Sequence, residues 1–283
     1  MTPPDRKGPL YMVAASVCWS FGGLCIKFIP WGAMSIIGVR ALLAAVVFAI
    51  YRKSVRVDIT KGNVMAALCL AATTNLFVFA NKLTTAAAAI LLQFSAPIFI
   101  ILIHLVFYRK KPKPSEAIAV SATVLGMLLF FADRLEPGGA LGNLLAIASG
   151  MTFAGVFVCN KREDTKPEQA QFLGFLVNAA VGMPFLFFDA TADAVAWGSA
   201  LFLGIVQVGV AYLFFSSGIK KTTALLACLI TAMEPVLNPL WVAIAVGESP
   251  GPFAAAGGAV IVLSIVSYNL WLESRRRASA DSA

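Results

Sequence analysis

A chain of 283 residues that is 59% hydrophobic and 13% charged, with a mean hydropathy of +0.84, holds more apolar surface than one soluble core of that length can bury. This excludes a soluble enzyme, a disordered chain and a disulfide scaffold, and leaves a membrane protein with several spans. The net charge of +8 sits in loops between apolar runs, so it reads as a topology signal rather than a nucleic-acid surface. Five cysteines (Cys18, Cys25, Cys69, Cys159, Cys228) lie inside apolar runs. They lack the paired spacing of a disulfide framework or a zinc site.

The apolar runs are continuous, which favours helices over the alternating ten-residue strands of a membrane barrel. The polar start, Met1 to Gly8, leads into a run too long for a signal-peptide core, which reads as the first span. Charges, prolines and glycines divide the chain into ten predicted spans. They are 9–29, 33–51, 63–81, 84–108 and 115–133, then 140–160, 169–188, 194–217, 222–246 and 252–273. The expected fold is therefore an all-α membrane protein. One alternating set of loops holds eighteen basic residues, among them Arg52, Lys53, Arg109, Lys110, Lys111 and the Arg275–Arg277 triplet. The opposite set holds two, Lys82 and Arg134. The positive-inside rule then puts both termini in the cytoplasm.

A repeat runs through the chain at an offset of 138. Thr84-Thr85-Ala86 returns as Thr222-Thr223-Ala224, and Lys82 matches Lys220. Three prolines repeat at the same spacing: Pro97 with Pro235, Pro112 with Pro250, and Pro114 with Pro252. The expected halves, 1–136 and 137–283, hold five spans each. An odd number inverts the second half in the membrane. Inverted repeats with matched prolines mark secondary transporters whose site lies near the midplane between the repeats. Pro97 and Pro235 each fall roughly 20 Å into their spans. There a proline frees a carbonyl and bends the helix, so both are candidate hinges or gates, with plain packing kinks as the alternative.

Several segments carry a family signal: WSFGGLCIK with Trp19 and Lys27, GVRALLAAVV with Arg40, KLTTAAAA, and EPVLNPLWVAIAVGE ending at Glu248. In order and spacing the chain resembles the EamA-type members of the drug/metabolite transporter superfamily, and among these it is most similar to the YddG-like amino-acid exporters. The resemblance implies ten spans in two inverted five-helix repeats. It also implies a central cavity lined mainly by spans 1, 3, 4, 6, 8 and 9.

Polar groups at membrane depth are costly and therefore candidates for function. Gln93 and Thr231 are equivalents at the 138 offset, each on a face that begins with small residues. That pattern serves cavity lining or close helix packing. Further substrate candidates are Trp19 and Ser20 on span 1, Asn75 and Phe79 on span 3, Met151 on span 6, and Gln207 and Tyr212 on span 8. Glu234 is the one acid deep in a span and so the candidate proton site, but its counterpart is Ala96. Lys27 and Arg40 read as anchors that snorkel to the outer surface, or alternatively as contacts for a substrate carboxylate.

The sequence shows no metalloprotease helix, phosphate loop or nucleophile elbow, so no enzyme, cofactor or metal is expected. The expected function is export of small neutral metabolites, above all amino acids, by alternating access. A multidrug exporter of amphipathic compounds is the rival, and an intramembrane lipid-modifying enzyme the more distant one. The expected partners are a small-molecule substrate and the lipid bilayer, without nucleic acid. The expected state is a monomer in a bacterial inner membrane.

Overall fold

The computed structural model describes residues 7–22, 25, 28–132, 139–189, 193–237, 241 and 251–281, and among these it contains helices and no strands. Hydrocarbon offers no partner to a backbone N–H or carbonyl, so the chain satisfies them within helices. The helices are α1 (Lys7–Ser20), α2 (Ala33–Arg52), α3 (Lys61–Leu83), α4 (Ala86–Gln93), α5 (Ala96–Phe107) and α6 (Pro114–Phe130). They continue with α7 (Ala140–Cys159), α8 (Pro167–Asp189), α9 (Ala194–Phe202), a π-helical segment (Leu203–Val210), α10 (Ala211–Ile219), α11 (Ala224–Thr231) and α12 (Pro252–Asp281). Seven stretches among the described residues are long and apolar enough to cross a membrane, and Pro114–Phe130 and Ala224–Leu237 are shorter apolar helices. Large apolar side chains face outward, with Phe187 90% and Phe188 88% exposed, as a lipid-facing surface requires.

Two predicted spans are broken rather than continuous. The span expected over 84–108 divides into α4 and α5 at Phe94-Ser95. Pro97 lacks the N–H that would bond Gln93 and is better placed in the first turn of a new helix, which is where it sits. Ser95 closes the break by donating its hydroxyl to the Leu92 carbonyl at 2.5 Å and its N–H to the same oxygen at 3.1 Å. The span expected over 222–246 ends its first helix at Thr231, turns at Ala232 and resumes over 233–237. The breaks fall at matching positions. The starts match as well: Thr85 accepts from the Ala88 N–H at 3.2 Å and Thr223 from the Leu226 N–H at 3.1 Å, the same N-cap in both halves.

Small residues set the closest helix approaches. α2 packs most extensively against α8, where Gly38 meets Gly182: a Cβ on Gly38 would lie 2.4 Å from the Gly182 carbonyl carbon. α3 packs on α7, α6 on α12, and α1 on α10.

Loops expected on one side of the membrane meet at one end of the bundle. Lys161 donates to the carbonyls of Lys220 and Thr222 at 3.0 and 2.7 Å. Thr60 donates to the Asp164 carbonyl at 2.6 Å, and the Gly62 N–H bonds the Asp164 carboxylate at 3.0 Å. The hydrogen bond from Lys166 holds the Asp58 carboxyl below its ordinary value, and that from Arg162 does the same for Asp164. Their contribution is present above the ordinary carboxylate value and is lost as the pH falls through the lower folded-state one. Both acids are solvent-screened, so these ion pairs steady the loops more than they stabilise the fold. At the opposite end Asp189 accepts from the Gly32 N–H and the Ser35 hydroxyl, and Trp31 packs edge-on to Trp197 at 4.6 Å.

The glycine contacts predict opposite outcomes for two small changes. Gly38→Ala forces backbone apart and lowers stability by about 1–3 kcal/mol. Gly198→Ala, inside α9 with nothing within 4 Å of a new Cβ, raises it by about 0.5–1 kcal/mol. Thermal unfolding in detergent separates them, and equal effects would contradict the packing.

Candidate functional site

The site is built where α1, the π-helical segment, α10 and α8 converge. The wider π turn carries Gln207, and such turns favour functional positions. Its amide donates to the Trp19 carbonyl of α1 at 3.2 Å. Gly22 permits this approach, because a Cβ there would lie 2.9 Å from Gln207 Nε2. Next along the chain, Tyr212 meets Trp19 edge-on at 4.9 Å and Phe175 of α8 at 5.2 Å. Phe48 of α2 extends the aromatic chain through Phe175 at 5.4 Å. Ser20 accepts from the Trp241 indole at 2.7 Å, and Trp241 stacks on Phe21 at 4.8 Å.

Asn75 of α3 reaches α8, donating to Asn178 Oδ1 at 2.9 Å. Asn178 lies one turn past Phe175, so Asn75 borders the same region. Three polar atoms here are buried without a partner among the described residues: Trp19 Nε1, Asn75 Oδ1 and Gln207 Oε1. Each such atom costs about 1–3 kcal/mol if it stays unpaired. Trp19 and Gln207 touch, so an unpaired donor and an unpaired acceptor there suit a polar ligand.

Arg40 and Glu234, with the neutral Tyr212 phenol near both, form the ionisable part of the site. The sequence reads Arg40 as a snorkelling anchor or as a contact for a substrate carboxylate, and the structure leaves it partly buried, in electrostatic range of both Tyr212 and Glu234. Each of the three keeps part of its surface accessible, as residues facing an internal space do.

The remaining candidates separate from this group. Gln93 donates to Ser149 of α7 at 2.8 Å, and Ser149 donates to the Thr73 carbonyl of α3 at 3.0 Å. Its own carbonyl, freed by Pro97, faces Gly150, where a Cβ would lie 2.8 Å away. Thr231 is fully buried and donates to the Cys228 carbonyl at 2.6 Å. In this conformation Thr231 is closed to solvent, whereas Gln93 keeps part of its surface accessible. Phe79 and Met151 are 47% and 52% exposed and join none of these contacts. Pro97 and Pro235 stand at the two helix breaks. Lys27 and Glu248 lie outside the described residues.

Sequence reasoning missed Phe175, Asn178, Ser149 and Trp241. Asn178 and Ser149 are polar groups inside apolar spans, the signal used for Asn75. The two aromatics carry no such signal, because most aromatics in a span only pack.

With this geometry in view, the comparisons are decisive for the family. The description "EamA-like transporter family" matches residues 6–132 and again 140–270. The chain belongs to the EamA-like transporter family. "Uncharacterized transporter YwfM" of Bacillus subtilis is 26% identical over 233 residues, 77% of this chain and 76% of that one. An "Uncharacterized transporter" of Archaeoglobus fulgidus is 25% identical over 192 residues, 67% and 69% of the two chains. A solved crystal structure of a protein 19% identical matches with a TM-score of 0.79, over 95% of this chain and 98% of its own; that likeness concerns the fold. Family and helices together make this EamA-like transporter a multi-pass membrane protein.

The Gln93–Ser149 bond ties α4 to α7 beside the helix break. A double-mutant cycle with Gln93→Ala and Ser149→Ala, read by unfolding in detergent, is expected to give a coupling of about 0.6–1.5 kcal/mol. Purely additive effects would show that the bond does not hold the break.

Proposed function

We propose that this chain is a secondary transporter that exports small neutral metabolites, above all amino acids, by alternating access. The two parts, 1–136 and 137–283, act as inverted five-helix repeats, giving ten spans. Support comes from the paired N-caps at Thr85 and Thr223, the paired helix breaks, and the two separate family matches. Helix pairing adds to it: α6 packs on α12, and α1 on α10 as α7 does on α3, which a two-fold exchange of halves reproduces. The cytoplasm holds both termini and the loops joined by Lys161 and Asp164, in a bacterial inner membrane and as a monomer.

The observation that carries the amino-acid reading is the site around Trp19, Asn75, Gln207 and Tyr212. It offers amides, an indole N–H and aromatic faces, with orphan hydrogen-bonding atoms. A dicarboxylate or a phosphorylated sugar would need clustered basic groups at depth. Rocking of one half against the other about the breaks at Pro97 and Pro235 would open the site to each side in turn. Hydrogen bonds formed by Trp19 Nε1, Asn75 Oδ1 and Gln207 Oε1 with substrate would then stabilise the closed state.

Two measurements test this. Purified protein in vesicles is expected to move labelled neutral amino acids, with Gln207→Ala and Asn75→Ala each weakening affinity roughly 5- to 150-fold. Phe107→Ala, at a side chain 78% exposed, leaves flux unchanged. Flux of lipophilic cations without amino acids would favour the multidrug reading, and headgroup turnover the lipid enzyme. On a background lacking native cysteines, outside labelling is expected at Glu136→Cys and not at Lys111→Cys. Labelling at Lys111→Cys in intact cells would overturn the orientation.

A further inference from the structure

Arg40 sits on α2, in the first half of the chain, and Glu234 just past the helix break in the second half. Both are partly buried and within electrostatic reach of each other and of Tyr212. Yet the ion pairs among the described residues are Arg162–Asp164 and Lys166–Asp58. Arg40 and Glu234 share none, and neither makes a hydrogen bond to a described residue. Taking a charge out of water is expensive unless something pairs with it. A structural ion pair would have closed the gap, because direct contact repays the most. Two ionisable groups of opposite kind held apart, each with accessible surface, suit a ligand that carries both complementary charges at once.

We propose that Arg40 receives the carboxylate and Glu234 the ammonium of one zwitterionic substrate, so that an amino acid is held by its two charged ends across the boundary between the halves. This rests on the amino-acid reading above and specifies how that site recognises its substrate. A guanidinium fork suits a carboxylate, and a carboxylate accepts the three N–H donors of an ammonium. A ligand lacking one charge leaves one protein charge unpaired, so the site rejects it by an uncompensated burial rather than by shape. Because the two groups belong to different halves, the substrate also draws the halves together, which links occupancy to the rocking motion. Tyr212, between the charges and the aromatic chain through Phe175, marks where the substrate's side chain begins.

The test uses full-length protein in vesicles with labelled leucine, phenylalanine and glutamine. Competitors are the unlabelled amino acid, its methyl ester (no carboxylate) and its N-acetyl derivative (no ammonium). In the parent protein the free amino acid is expected to compete roughly tenfold to a hundredfold better than either derivative, a result that needs no variant to fold. Arg40→Gln is expected to erase the preference over the ester alone, and Glu234→Gln the preference over the N-acetyl compound alone. Parent protein that accepts the ester as readily as the free acid overturns the proposal. So does amino-acid flux whose selectivity both variants leave intact, while the amino-acid reading stands. No flux of any of the three amino acids overturns that underlying reading and this proposal with it.

Discussion

Hydrocarbon supplies no hydrogen bonds, and the architecture of this protein follows from that. Every polar group at depth must find a partner in the chain or be held for a ligand. Most find one. Ser16 donates to the carbonyl of Met12 on its own helix and lies 3.2 Å from that of Ile230 across the helix contact. Thr73, Ser149, Thr152 and Gln93 close a chain of bonds among α3, α4 and α7. The Trp19 indole, Asn75 oxygen and Gln207 oxygen are among the buried atoms that stay unpaired within the described residues, and Trp19 and Gln207 touch each other.

The same constraint explains the breaks. A proline in a spanning helix frees a carbonyl that water cannot solvate. Here α4 stops and α5 starts afresh, with Ser95 bonding Leu92 and Gly150 pressed against the freed oxygen. The break is thus part of the helix packing, and a shift of α7 would disturb it. The π-helical segment is a second departure from regular winding, and it swings Gln207 onto Trp19. The π-helical segment borders the site through Gln207.

Much of this was legible in the sequence, because periodicity, proline and charge are local signals. The helix ends at Ala33, Ala140 and Pro252 fall where the sequence puts them, since glycine, proline and loop charges mark them. The helices over 84–108 and 222–246 are broken rather than continuous for a physical reason: one proline can kink a helix or start a new one, and neighbouring helices decide which. The site was half legible. Trp19, Ser20, Gln207 and Tyr212 come together as polar or aromatic residues at similar depth. Gln93 and Thr231 match in sequence, and in this conformation the Gln93 amide bonds Ser149 and the Thr231 hydroxyl bonds the Cys228 carbonyl. Arg40 keeps two readings in the sequence, because an arginine near a helix end can snorkel outward or turn inward, and the packing of α2 against its neighbours bears on which.

The central claim is that two halves rock about a site lying between them, and distances across the end of the bundle where loops 53–60 and 160–166 meet report this directly. Spin labels at Val55→Cys and Glu163→Cys, on a background without native cysteines, read the separation of the halves in vesicles. The account predicts two distance populations whose ratio shifts when a transported neutral amino acid is added. A single distance that no amino acid alters, in protein shown to carry that amino acid, would contradict it.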